Sequence, residues 1–156
     1  MPTPEFILRL RKHVGHDLIW LTGVTAVVIA ESGEVLLHRR AEDGSWSTPG
    51  GIVEPGEQPA VALVREVAEE TGVEVVPERI ASVVTEPPFT YRNGDRVQFM
   101  DVAFRCRPAG GHARPDEEES LEVGWFAPDR LPPMNDRIMR RIAHAREDGP
   151  AFYVEP

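Results

Sequence analysis

The hydrophobic and polar positions divide the chain into strand-like and helix-like stretches. Residues 24–30 and 35–38 are rich in β-branched and aliphatic side chains, and a polar loop with a glycine separates them. This pattern predicts a β-hairpin. Further strands are predicted at 73–76, 80–86, 97–106 and around 123–126, with a turn at 92–95.

Helical periodicity is clearest from Pro59 to Thr71. Apolar side chains recur there on one face, a proline stands at the start, and Gly72 stands where a C-terminal cap belongs. Shorter helices are predicted at 4–14 and at about 133–146. Because the apolar residues of 4–14 need cover, we expect this helix to lie on a sheet edge or on a second subunit of a homodimer.

The stretch 41–56 is too rich in Gly, Pro, Ser and Asp for a regular element, so it is predicted to be a shaped loop. We find neither an internal repeat nor a linker that would divide the chain. The expected organisation is one mixed α/β domain over residues 1–156, with residues 1–20 as an N-terminal extension that can be helical.

Composition narrows the function. The 26 acidic residues outnumber the 17 Lys and Arg residues of the 156-residue chain, giving a formal charge of -9. This balance argues against a nucleic-acid polymer as partner, and a small polyanion would need divalent cations or a few placed arginines. Cys106 is the single cysteine, which excludes an intrachain disulfide and fits the cytoplasm. The most apolar stretch, 19–30, is too short for a membrane span.

Three acidic residues of the predicted central helix fall on one side of it. Glu66, Glu69 and Glu70 have i, i+3 and i+4 spacing, and Arg65 can pair with Glu69 one turn away. Carboxylates held on a rigid helix suit a hard cation such as Mg²⁺. A solvated acidic face explains the same spacing.

The run from Gly51 to Val73, GIVEPGEQPAVALVREVAEETGV, resembles the signature of the Nudix hydrolases, G-x5-E-x7-R-E-U-x-E-E-x-G-U, where U is a bulky apolar residue. Every specified position of that signature is matched. Flanking segments are also similar to the family, and the resemblance extends from about residue 24 to the C-terminus. It implies a mixed β-sheet sandwiched between helices, which belongs to the α/β (α+β) class.

The resemblance also implies roles. Mg²⁺, with Mn²⁺ as a substitute, would be the cofactor of a phosphoanhydride hydrolysis. Arg65 is expected to orient a carboxylate. Positions expected to hold the metal are the Gly50 carbonyl, Glu57, Glu66, Glu69 and Glu70. A general base completes such a mechanism, and its location varies in the family; here a box glutamate, Glu119 and then Glu122 are the candidates.

The substrate is less defined. Arg39 and Arg40 end a strand before the shaped loop, where a guanidinium can grip phosphate or form a surface ion pair. Asn135 resembles a base-reading residue of oxidised-purine triphosphatases, but it can equally cap the last helix. Pro88 and Tyr91 resemble markers of two different substrate groups.

We therefore expect hydrolysis of a small nucleoside diphosphate derivative such as ADP-ribose or a nucleotide sugar. The alternative substrates are (d)NTPs or oxidised-purine nucleoside triphosphates. A catalytically inactive nucleotide-binding module of the same fold is the alternative from another class.

Overall fold

The computed structural model describes residues 3–156; residues 1 and 2 of the predicted extension 1–20 lie outside the described residues. The helices are α1 (Glu5–Val14), α2 (Pro59–Thr71) and α3 (Asp136–Arg146). The strands are β1 (Ile19–Val28), β2 (Val35–Arg40), β3 (Trp46–Ser47), β4 (Gly50–Ile52), β5 (Val73–Thr85), β6 (Phe89–Thr90), β7 (Arg96–Gly111) and β8 (Ser120–Phe126). Within residues 3–156, no helix combines the length and apolar character that crossing a membrane requires.

The strands form two sheets. The larger has the order β4-β1-β7-β5, with β6 paired to β7, and the smaller has the order β3-β2-β8. Strands β1 and β7 run parallel, whereas the other pairs are antiparallel, so the larger sheet is mixed. The long strand β5 joins the two predicted strands 73–76 and 80–86.

The predicted hairpin of 24–30 and 35–38 is wrong. These segments meet at a bridge between Ile29 and Val35, but β1 and β2 then diverge into different sheets. Both edges of β1 are taken by β4 and β7, so β2 pairs instead with β3 and β8. Local polarity showed where the strands turn but could not show which partners they take.

Helices cover both faces of the larger sheet. Val24, Ala26 and Val28 of β1 share a buried cluster with Leu63 and Val67 of α2. Because side chains alternate along a strand, Val27 points the other way and packs in a second cluster that contains Ile138 and Ile142 of α3. The predicted mixed sheet between helices is confirmed.

Helix α1 packs on its own chain. Its Ile7 side chain is buried together with Leu21 of β1 and Val97 of β7. Leu8 and Leu10 of the same helix remain exposed, at 52% and 42%. The homodimer therefore stays a prediction.

A buried ionic network ties α3 to the larger sheet. The Arg141 guanidinium lies 3.0 Å from a carboxylate oxygen of Glu86 and 3.0 Å from one of Asp101. The Thr25 hydroxyl donates to the other Asp101 oxygen at 2.8 Å. All three charged side chains are largely buried, and the arginine stands between the two carboxylates, so each buried charge has a partner of opposite sign.

Candidate active site

Helix α2 presents its acidic residues at different depths. Pro59 occupies the first turn, where its missing N–H costs nothing, and Gly72 ends the helix in the left-handed conformation that favours glycine. Glu66 and Glu70 lie one turn apart on the inner face, with 3% and 5% of their surface exposed. Glu69 points outward, and 58% of its side chain is exposed.

Three carboxylates converge beside this helix. One oxygen from each of Glu66, Glu70 and Glu119 lies within 4.8 Å of the others. Glu66 and Glu70 come from α2, whereas Glu119 comes from the loop before β8. A helix and a distant loop therefore supply the three groups together.

Burial and mutual repulsion disfavour the ionised forms of this group. Burial raises the pKa of Glu70 to about 8, and the charges of Glu66 and Glu119 add to this effect. A hydrogen bond from the Gly50 N–H, 2.9 Å long, acts in the opposite direction. Burial likewise raises the pKa of Glu66, although Arg65 counteracts it. The protein thus disfavours full ionisation of Glu66 and Glu70.

Arg65 gathers the remaining acidic residues of the motif. Its guanidinium donates to both carboxylate oxygens of Glu57, at 3.0 and 3.1 Å. It also donates to Glu66 at 2.9 Å and to Glu69 at 3.3 Å. The hydrogen bond from Arg65 lowers the pKa of Glu57, and Glu57 in turn raises the pKa of Arg65. Glu57 and Glu69 are therefore held by a cation of the protein and do not join the convergent group.

The glycines of strand β4 permit the close approach of α2. A Cβ atom added at Gly51 would lie 2.3 Å from the carboxyl carbon of Glu66. A Cβ atom added at Gly50 would lie 2.2 Å from the Val24 carbonyl oxygen. The missing side chain of Gly51 therefore leaves room for the Glu66 carboxylate where it lies, and that of Gly50 lets β4 lie against the backbone of β1. The N–H of Gly50 contacts Glu70, and the expected role of the Gly50 carbonyl as a metal ligand stays a prediction.

His38 is a site residue for which the sequence predicted no role. It lies on β2 with 4% of its surface exposed, and its Nδ1 is 2.7 Å from the Ser120 hydroxyl. Its Nε2 is 3.9 Å from a carboxylate oxygen of Glu70. Burial lowers the pKa of His38 to about 4. The ring is thus neutral at neutral pH, and its contact with Glu70 is not an ion pair. A lone histidine within an apolar strand was the signal available in the sequence.

The loop that carries Glu119 is folded by Asp116. One carboxylate oxygen of Asp116 accepts hydrogen bonds from the backbone N–H groups of Glu119 and Ser120, at 2.9 and 2.8 Å. The carbonyl of Glu119 accepts from the N–H of Ala41 at 2.8 Å. The backbone of Glu119 is therefore held from two sides.

The three residues predicted to bind substrate have other contacts. Arg39 pairs with Glu122 at 2.5 Å, and Arg40 pairs with Glu42. The Asn135 side chain accepts a hydrogen bond from the Ile138 N–H at 3.0 Å and caps α3. The structure does not bring these residues, or Glu122, into the carboxylate group.

The convergent group has the chemistry of a divalent-cation site. Its donors are carboxylate oxygens, which Mg²⁺ and Mn²⁺ prefer. Burial, helped by the charges of Glu66 and Glu119, raises the pKa of Glu70, and a bound cation would favour its ionised form. The residues present therefore fit such an ion.

Comparison with known proteins places this geometry in a family. The NUDIX domain model matches residues 20–145. A MutT-like protein of Streptomyces ambofaciens is 39% identical over 108 residues, which cover 69% of this chain and 64% of that protein. The 8-oxo-dGDP phosphatase NUDT18 of Homo sapiens is 36% identical over 135 residues, covering 83% and 37% respectively. The chain thus matches less than two thirds of either relative.

The fold agrees with these matches. The crystal structure of a MutT NUDIX hydrolase from Burkholderia pseudomallei superimposes with a TM-score of 0.68 and 26% sequence identity, covering 81% of this chain and 98% of that one. The matched residues include the carboxylate helix α2 and the loop that carries Glu119. The chain therefore belongs to the Nudix hydrolase family.

Proposed function

We propose that this protein hydrolyses a phosphoanhydride bond in a small nucleoside diphosphate derivative with the help of a divalent cation, Mg²⁺ or Mn²⁺. One observation carries the proposal, the convergence of Glu66, Glu70 and Glu119 within 4.8 Å. Three converging carboxylates, two of them buried, are costly to ionise together, and a bound cation would offset that cost. Glu66, Glu70 and Glu119 would hold the ion.

When bound, the cation neutralises phosphate oxygens and lowers the pKa of water. The protein positions the carboxylates that would hold the cation. The Gly50 N–H fixes one Glu70 oxygen, and Arg65 fixes Glu66. Glu119 is half-buried and comes from a loop; we assign to its second carboxylate oxygen, the one that does not face the ion, the acceptance of the proton of the attacking water.

The other box residues have a supporting part in this proposal. Glu57 and Glu69 were expected to bind metal, and their hydrogen bonds to Arg65 favour a bracing role. Bracing matters because a carboxylate that can rotate away from a cation binds it less tightly. The Gly50 carbonyl stays a predicted ligand.

Two substrate groups remain in the proposal. ADP-ribose and nucleotide sugars follow from the sequence, and oxidised-purine nucleotides gain support from the relative named 8-oxo-dGDP phosphatase. Both groups contain the phosphoanhydride that the site would cleave. The acidic charge disfavours nucleic-acid polymers, yet the same bond also occurs in a 5′ cap, so capped RNA belongs in the test.

The test is a substrate panel with product identification. It contains ADP-ribose, UDP-glucose, dGTP, 8-oxo-dGTP, 8-oxo-dGDP and capped RNA, each with Mg²⁺, Mn²⁺ or EDTA. We expect cleavage of at least one small nucleotide with either metal and none with EDTA. Nucleotide binding without turnover by either metal between pH 7 and 9 would instead identify a binding module.

A further inference from the structure

We propose that His38 is a positioning residue that holds the Glu119 loop and the Glu70 side of the site in register. The inference rests on the proposed function, because it assumes that Glu66, Glu70 and Glu119 bind a cation together. It goes beyond the motif, since His38 lies on β2, outside the stretch from Gly51 to Val73.

His38 is linked to the loop that carries Glu119. The His38 Nδ1 atom is 2.7 Å from the Ser120 hydroxyl, and Ser120 directly follows Glu119. The N–H groups of Ser120 and Glu119 bind the same Asp116 oxygen. A shift of Ser120 would therefore carry the backbone of Glu119 with it.

His38 also faces the opposite side of the site, where Glu70 lies. The His38 Nε2 atom faces Glu70 at 3.9 Å, and the ring lies beside the Thr48 backbone. Thr48 lies two residues before Gly50, whose N–H binds Glu70. One imidazole thus contacts both chain segments between which the carboxylates converge.

Both partners of the contact between His38 and Ser120 are buried. His38 has 4% of its surface exposed and Ser120 has none. Water does not replace a hydrogen bond lost at such depth, so removing either partner leaves an unsatisfied polar group. The pair is consequently rigid, and rigidity is the property that a supporting contact beside a metal site requires.

A simple core-filling role predicts different behaviour from a positioning role. If His38 only fills space, an apolar side chain of similar volume changes stability but leaves cation affinity unchanged. If His38 positions Glu119, the same change weakens cation binding even in a folded protein. An asparagine at this position keeps an amide near the place of Nδ1, and so keeps the contact with Ser120.

The experiment measures Mn²⁺ affinity by titration calorimetry, together with kcat and KM on a substrate of the wild type. We expect His38→Leu and Ser120→Ala each to weaken Mn²⁺ binding by about 10- to 100-fold, the range of lost supporting contacts. The kcat value should fall similarly and KM much less. The double variant should bind Mn²⁺ no more weakly than the weaker-binding single variant, because the same contact between His38 and Ser120 is lost in all three.

Two further variants distinguish the positioning role of His38 from a core-filling role. His38→Asn should recover most of the Mn²⁺ affinity. His144→Asn is the matched control, since His144 stacks on Phe152 near the C-terminus, away from the carboxylates. A folded His38→Leu protein with wild-type Mn²⁺ affinity would overturn the proposal; should that variant not fold, unchanged affinity in Ser120→Ala would do so.

The outcome also distinguishes this proposal from the proposed function. If the wild type binds Mn²⁺ and cleaves nothing in the panel, the hydrolase assignment fails while the affinities still decide the role of His38. If turnover is normal and the variants bind Mn²⁺ as the wild type does, only the positioning role fails. A wild type that binds no Mn²⁺ overturns both.

Discussion

Two buried charged groups flank the larger sheet, one beside α2 and one beside α3. Beside α3, Arg141 stands between Glu86 and Asp101, so the buried charges are paired. Beside α2, Glu66, Glu70 and Glu119 face one another, and burial with mutual repulsion raises the pKa of Glu70 to about 8. Both groups are costly to bury, but in the first an arginine lies between the two carboxylates, whereas in the second Glu70 lies among other carboxylates.

This difference supports a structural role for the group beside α3 and the functional role that we propose for the group beside α2. A compensated network joins a helix to a sheet and needs nothing further. A convergent group of carboxylates is stabilised when a cation arrives from solution. Burial of charge alone would have marked both groups equally, whereas the sign of the neighbouring charges distinguishes them.

The largest effect on stability is expected from Arg141→Met. It leaves Glu86 and Asp101 buried without their partner, and breaking such a pair costs about 3 kcal/mol or more of unfolding free energy. Urea denaturation measures this loss. The matched control is Arg140→Met, an exposed neighbour on α3. Equal stability of the two variants would show that the network beside α3 is not compensated in the way described.

The largest effect on activity is expected from Glu70→Gln. The substitution keeps size and helix propensity but removes one charge from the convergent group, so turnover should fall at least about 100-fold. Mg²⁺ should raise the Tm of the wild type more than that of the variant, because a ligand stabilises the state that binds it. Glu31→Gln, in an exposed loop, is the control.

Glu69→Gln sharpens the same prediction within one helix. Because Glu69 is exposed and bonded to Arg65, we expect its loss to lower turnover by less than about tenfold, through weaker bracing. A loss as large as that of Glu70→Gln would restore Glu69 to the metal ligands predicted from the sequence.

A pH series on the metal-free protein tests the raised pKa of Glu70 directly. The pKa of Glu70 is raised from 4.5 to about 8 on folding, so the native state holds a proton that the unfolded state has released. This contribution lowers stability as pH rises from about 4.5 to beyond 8. The unfolding free energy of Glu70→Gln, relative to the wild type, should therefore increase across this window by at least about 1 kcal/mol, the value of roughly one pKa unit.

The quantity to measure is the difference in unfolding free energy between Glu70→Gln and the wild type, because groups such as His38 titrate in both proteins. Chemical denaturation in EDTA at several pH values gives it. A difference that stays constant from pH 5 to 9 would contradict the raised pKa of Glu70.

The smallest effect is expected at Asn135. Its side chain caps α3, so Asn135→Ala should cost about 1 kcal/mol of stability and leave KM unchanged. Asn135→Asp retains a capping oxygen and should retain the stability. If KM instead rises more than about tenfold in both variants, the substrate role predicted from the sequence holds.

Local patterns in the sequence were informative where structure is local. The helix from Pro59 to Thr71 and its Gly72 cap follow from periodicity and capping within one segment. The pairing of β1 with β7 joins strands far apart in sequence, and no local pattern encodes it, which is why the hairpin prediction failed. The single-domain organisation of residues 1–156 stays a prediction.

The same reasoning applies to the site. The motif located Glu66 and Glu70 because both belong to one helix, and Glu119 was selected by its distance from the closing strand. His38 received no role because its partner Ser120 reaches it through the pairing of β2 with β8. The outward direction of Glu69 depends on where α2 meets the sheet, which periodicity describes only approximately.

The origin of Glu119 in a loop distant from α2 has a consequence for folding. A chain in which α2 and the larger sheet have formed, but β8 has not yet joined β2, has two of the three carboxylates in place. Tight cation binding would then begin only when β8 joins β2. In a refolding experiment, the delay between the formation of helix, followed by circular dichroism, and the onset of Mn²⁺ binding would therefore measure when β8 pairs with β2. The protein would need no label.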